Sequence, residues 1–189
     1  MSDGERLLLI DASTFITLAE IGACGLLYRT RGRLAVPGAV RDEVSDDPAE
    51  SELIRAIQSN AICVLDAPVA DGPIPEPYER ASEHLDPTTP IAEEDANWSG
   101  DIALLGQALD RSAVVVSDDK PLRDTCKALS IPVSGSIGIL VRAVERGDAS
   151  AAEAKDLLLA MDDVGARLSA RLLRRAERLI DDAAGDTVG

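Results

Sequence analysis

Short apolar runs, each handing over at once to helix-like periodicity, constrain this chain most. Leu7–Ile10, Leu34–Val36, Ile62–Leu65, Ala113–Ser117 and Ile131–Val133 are too short for helices and lack polar alternation. Runs of that kind are strands buried on both faces of a parallel sheet, and strand–helix alternation is the α/β signature. Two of these runs lead directly into acids: Leu7-Leu-Leu-Ile into Asp11, and Val114-Val-Val-Ser-Asp into Asp119. Ligands of open parallel sheets bind at the carboxyl ends of the strands. With Glu43 and Asp101 on adjoining helices, the four carboxylates point to a hard-cation site, since such groups do not stay ionised side by side without a neutralising charge.

Between the strands, the pattern predicts helices from Ser13 or Thr14 toward Glu20, a short one ending near Tyr28, and one carrying Val40, Glu43 and Val44. Others run from Pro48 to Gln58, from a Ser99 cap through Asp101 to Leu109, from Asp119 onward, and from Gly135-Ser-Ile-Gly138 to Arg146. Ser150-Ala-Ala-Glu153 has the form of a capping box, and a last helix is expected over Gly165–Ile180 with a fraying tail after Asp181. Six of the ten prolines fall between Ala67 and Asn97, which marks an irregular excursion with one helix expected over Tyr78–His84. The domain reading is a core over residues 1–146, with its excursion at 67–98, and a helical extension over 147–189 packed on the same domain.

The composition removes many chemistries. A single histidine, His84, excludes two-histidine acid–base catalysis and leaves one route to a Ser-His-Asp site. Neither a P-loop nor a G-x-G-x-x-G follows a strand. An aspartate-nucleophile phosphatase wants a second Asp two residues after the first, where this chain has Ser13; a metal-dependent phosphatase or receiver-like domain acting on small phosphate compounds stays as a lesser rival. The three cysteines are widely spaced, without a C-x-x-C pair, and read as buried thiols of a reducing cytoplasm. No apolar run approaches the ~20 residues of a membrane span. Carboxylates, the natural ligands of Mg²⁺ or Mn²⁺, are what remains.

The formal charge is −15, and lysine occurs only at 120, 127 and 155. A surface so acidic and lysine-poor fits a salt-rich cytosol, where self-repulsion is screened; an acidic face for a basic partner is the rival reading. Net acidity argues against nucleic acid at low ionic strength, but at ~1 M salt the Debye length is only ~3 Å and local arginines decide.

Leu7-Leu-Leu-Ile-Asp11-Ala-Ser13, Val36-Pro-Gly-Ala-Val40-Arg-Asp-Glu43-Val44, Ser99-Gly100-Asp101 and Val116-Ser117-Asp118-Asp119 together resemble the PIN-domain nucleases in order and spacing. Ser117-Asp-Asp119, Arg123 and Gly135-Ser-Ile-Gly138-Ile-Leu140 are similar to the branch with a paired Asp and a Gly-x-x-Gly-x-Leu segment. The resemblance covers Leu7 to about Arg146. It implies a three-layer α/β/α sandwich around a mainly parallel sheet, and a Mg²⁺- or Mn²⁺-dependent endoribonuclease. Catalysis would fall to Asp11, Glu43, Asp101 and Asp119. Asp11, Asp101 and Asp119 would ligate metal, with Asp118 either a further ligand or part of a helix cap. Ser13, Ser117 and Arg123 would serve substrate binding. Asp101 stands where the family usually has Glu, one methylene longer. RNA is the implied substrate, and the family's toxins and RNA-processing enzymes bring in an antitoxin or other protein partner and a homodimer. A non-catalytic RNA- or protein-binding module is the alternative. Trp98 is weighed as a base-stacking residue against loop anchoring.

Overall fold

The computed structural model describes residues 6–68, 74–85, 98–166 and 168–186. Among the described residues five strands, β1 (Leu7–Ile10), β2 (Arg33–Pro37), β3 (Cys63–Leu65), β4 (Val114–Val116) and β5 (Val133–Ser134), form one sheet in the order β3-β2-β1-β4-β5. Every pairing is parallel. The chain winds outward from β1 through β2 to β3, then crosses back to β4 and winds the other way to β5. That reversal puts the topological switch between β1 and β4, where Leu8 pairs with Val114 and Ile10 with Val116.

The helices are α1 (Ala12–Glu20), α2 (Cys24–Tyr28), α3 (Gly38–Glu43), α4 (Ala49–Gln58), α5 (Glu76–Leu85), α6 (Gly100–Arg111), α7 (Lys120–Ala128), α8 (Ser136–Glu145), α9 (Ala151–Met161) and α10 (Ala170–Asp186). Helix α6 lies across β1, β2 and β4, with α5 against it and α7 beside α5. Right-handed crossovers place α1, α2 and α4 on the opposite face, where α2 also meets α8. The result is a three-layer α/β/α sandwich. Leu9, Ile10, Ala35, Val115 and Val116 are buried between the layers together with Phe15, Leu18, Leu104 and Leu105. A second apolar cluster unites Leu140, Val144, Leu158, Met161, Ala176 and Ile180, and so fastens α9 and α10 to α8. No helix among the described residues is long and apolar enough to cross a membrane.

The Ser150–Glu153 capping box forms, each residue's side chain accepting the other's amide. Several expectations shift. Helix α1 begins at Ala12 with Asp11 as its N-cap, ahead of the Ser13 or Thr14 start expected, and β3 and β4 each begin one residue later than their apolar runs. Strand β5 begins at Val133 because Ile131 folds inward and donates its amide to Cys126 O at the end of α7, while Pro132 O starts the ladder by accepting Val115 N. The last helix starts five residues later than its pattern implied and runs on to Asp186. Gly165 adopts φ 99°, which ends the wide helical turn at Asp162–Ala166, and Ser169 then accepts Leu172 N and Leu173 N to begin α10. Arg167, most of the 67–98 excursion and the last three residues lie outside the described residues. The helix expected in that excursion is α5.

Trp98 is buried at 8 % exposure, with its ring 4.9 Å from Tyr78 and its indole N–H donated to Pro68 O. The base-stacking reading therefore gives way to anchoring, because the ring has no open face to offer a nucleotide. The three cysteines are free thiols. Burial pushes Cys24 up to about 12 and Cys126 up to about 11, which keeps both protonated.

Candidate active site

Parallel register fixes the centre of the site. Since Ile10 pairs with Val116, the next residues, Asp11 and Ser117, leave the sheet side by side, and Asp11 N donates to Val116 O at 3.0 Å. Asp11 is 7 % exposed. Its Oδ2 accepts the Ser13 hydroxyl at 2.6 Å and the Ser117 hydroxyl at 2.9 Å. Ser117 Oγ in turn accepts Asp119 N at 3.1 Å, so a single buried hydroxyl ties one acid to the backbone of another. Asp119 caps α7 by accepting Leu122 N at 2.8 Å through Oδ2.

The other two acids arrive from helix ends. Glu43 closes α3 and accepts Gly100 N, the first amide of α6, at 3.0 Å through Oε1. A Cβ on Gly100 would stand 2.2 Å from that oxygen, so glycine permits the contact. Asp101 follows at the second position of α6. Its carboxyl is pushed up to about 6, first by burial and then by Asp11, Asp119 and Glu43. The acids named from sequence are therefore gathered within electrostatic reach of Asp101. Among the described residues, no three His, Cys, Asp or Glu side chains are arranged to hold a metal ion as they stand. Coulombic coupling reaches farther than coordination, and hydrogen bonds hold Asp11, Asp119 and Glu43 at separate anchors. Each anchor uses one carboxylate oxygen. Asp11 Oδ1, Asp119 Oδ1, Glu43 Oε2 and both oxygens of Asp101 have no hydrogen-bond partner among the described residues.

Asp118 turns away from this group. Its carboxylate accepts the amide of Ser136 at 3.0 Å and also the Ser136 hydroxyl, at the first turn of α8. The adjacent aspartates thus cap two different helices. Arg123 donates Nη1 to Ser117 O at 2.6 Å and to Ser134 O, which straps the ends of β4 and β5 together. Gly135 admits both neighbours: a Cβ there would lie 2.4 Å from Asp118 Oδ1 and 3.1 Å from Arg123 Nη1. The sequence reading missed Thr14, Gly100, Gly135 and Ser136 as supports. Thr14 is fully buried and its hydroxyl accepts Asp118 N at 3.0 Å. Only the glycine directly before Asp101 carried a signal, that of a close backbone approach. Arg29 and Arg31 stand just before β2 and Arg33 opens it, so this basic stretch sits at the opposite end of the parallel sheet from the acids.

Asp101 makes a metal-free prediction. A carboxyl whose folded pKa lies above its ordinary 3.8 contributes stability that is complete below that value and is lost as pH rises toward about 6. In chelator at moderate salt, Asp101→Asn is expected to melt higher than the wild type at pH 7.5, with the gap narrowing as pH falls toward 4. Parallel melting curves across that range would refute the electrostatic origin.

A family model described as PIN domain matches residues 7–182, from the first strand into the last helix. A search of curated proteins found no match. Acids at the switch point of a parallel five-stranded sheet, together with a match over nearly the whole chain, lead to one statement of kinship: the chain belongs to the PIN-domain family.

Proposed function

We propose that the chain is a Mg²⁺- or Mn²⁺-dependent endoribonuclease hydrolysing RNA phosphodiesters. The carrying observation is the convergence of Asp11, Asp119 and Glu43 on the raised carboxyl of Asp101, in a member of the PIN-domain family. The donor set fits such an ion: the facing ligands are hard oxygens, and each anchored acid keeps one oxygen uncommitted. Asp11, Asp101 and Asp119 would hold the ion, which supplies a lowered pKa for bound water and charge against the departing oxygen.

The chain's own residues supply the rest. Ser13 and Ser117 donate to Asp11 Oδ2, and so orient that carboxylate. The amide of Leu122 fixes Asp119. Glu43, held through Oε1, keeps Oε2 free to accept a proton from the attacking water. Asp118 and Arg123 act as positioning residues, the first holding α8 and the second joining β4 to β5. This gives the paired aspartates of the branch resemblance divided roles. The substrate is RNA in a salt-rich cytoplasm, and an antitoxin or a second copy of the chain is the protein partner the family association brings.

Cleavage of total RNA in concentrated potassium chloride tests the reading, with Mn²⁺ in one arm and chelator in the other. Cleavage should require the ion. Saturating Mn²⁺ at ~100 times its dissociation constant should add about 2.7 kcal/mol of stability, or roughly 5–11 °C in melting temperature. Neither cleavage nor thermal protection would favour the alternative, a non-catalytic PIN module. That alternative draws on the carboxylates' separation and on the short Asp101.

Gly100→Ala separates geometry from folding. The atom its methyl would strike is the far end of the flexible Glu43 side chain, which swings aside cheaply. Stability should fall by only about 1 kcal/mol, the net worth of the Glu43 hydrogen bond that is disturbed, whereas a displacement of about 1 Å at a reacting group costs on the order of a hundredfold in rate. Unaltered turnover in Gly100→Ala would remove Glu43 from the mechanism.

A further inference from the structure

We propose that a groove running from Asp119, at the edge of the acid site, to α10 is the track for a single-stranded RNA, with Arg175 gripping a phosphate beyond the reacting one. This rests on the ribonuclease reading above and extends it to substrate grip. The groove encloses about 800 Å³ and is continuous from Ser13 and Asp119 at one end to Leu172, Arg175 and Leu179 of α10 at the other. A polymer threaded to the acids therefore meets the C-terminal helix as its next wall.

Charge selects the occupant. In a chain of net −15, residues 164–176 hold four arginines and no acid. Arg171, Arg174 and Arg175 are exposed and make no ion pair among the described residues. Three cations line the groove, and two are engaged elsewhere. Arg123 is spent on the carbonyls of Ser117 and Ser134, and Lys120 pairs with Asp124 at 3.1 Å. Arg175 is thus the groove cation left to bind an anion. The groove carries aliphatic side chains and no aromatic ring, so it lacks the stacking platforms that grip bases. Affinity should then come from phosphate contact, tolerate any sequence and fall as salt rises.

The test is fluorescence anisotropy of an end-labelled single-stranded oligoribonucleotide with the full chain, Ca²⁺ replacing Mg²⁺, across a series of potassium chloride concentrations. Arg175→Gln should raise Kd about five- to tenfold at the lowest salt and reduce the log–log salt slope by about 0.7, the value of one lost phosphate contact on a single strand. Arg178→Gln, on the same helix but outside the groove lining, should leave both nearly unchanged. Mn²⁺ protection against heat should persist in Arg175→Gln, which shows that the fold and ion site are intact. An unchanged slope in Arg175→Gln overturns the proposal, even if Mn²⁺-dependent cleavage is present. Arg175-dependent RNA binding without cleavage sustains it while the nuclease reading fails. Arg175-dependent capture of an acidic amphipathic peptide, with no RNA binding, also overturns it.

Discussion

Asp11→Asn is expected to lower Mn²⁺-dependent RNA cleavage by at least about a hundredfold while leaving the folded structure intact. Loss of a residue that merely orients a metal ligand costs 10–100-fold in affinity or activity, so loss of the ligand's charge should cost no less. The fold should survive because Asn keeps an oxygen in the same place to accept the Ser13 and Ser117 hydroxyls, and because the change removes a charge that opposes its neighbours. The same substitution should lower the pKa of Asp101, since Asp11 is the leading charge raising it after burial. Cleavage, Mn²⁺-induced thermal shift and the pH profile of melting form one test. Wild-type cleavage by Asp11→Asn would sink the assignment; lost cleavage with a collapsed melting curve would show a scaffold residue instead.

Gly106→Val should be the most destabilising single change in the α5–α6 layer, at about 3 kcal/mol and roughly 6–12 °C. A Cβ at Gly106 would fall 2.7 Å from Cδ1 and Cγ of Tyr78. Tyr78 is 2 % exposed and packs on Trp98, so its ring has nowhere to go. Alanine would offset part of the collision through the roughly 0.5–1 kcal/mol that glycine costs inside a helix; valine adds bulk without that gain. Gly25→Ala, where no atom lies within 4 Å, is the matched control and should be neutral or mildly stabilising. In a Tyr78→Ala background the valine should cost far less, because the two side chains compete for one space. Additive losses in that cycle would show that the Tyr78 contact is not the cause.

The sheet was legible because its strands announce themselves twice, in apolar runs and in the acids that follow β1 and β4. Period located α1, α6 and α9, and Ser99 and Ser150 cap where expected, whereas α1 has Asp11 and not Ser13 or Thr14 at its N-cap. What escaped depends on contacts between distant segments. Nothing near Asp118 in sequence reveals that its carboxylate is taken up by Ser136, and nothing near Arg123 reveals the carbonyl of Ser134. Arg123 stands four residues, one helical turn, after Asp119, and that spacing leaves its direction open. Trp98 shows the same limit: an aromatic ring beside an acid reads as a ligand platform until its partner, Tyr78, arrives from α5. The start of α10 was misplaced because leucines at helical spacing continue across Gly165, whose positive φ breaks the helix.

The two outer strands have a consequence for how this chain meets others. Strand β3 spans three residues and β5 two, so among the described residues neither rim of the sheet presents a run of free amides and carbonyls long enough to template another strand. Proteins with long open rims spend charge or proline to keep them from zipping together; here there is almost nothing to zip. Contact between copies, or with a foreign polypeptide, is thereby left to helical faces and side chains.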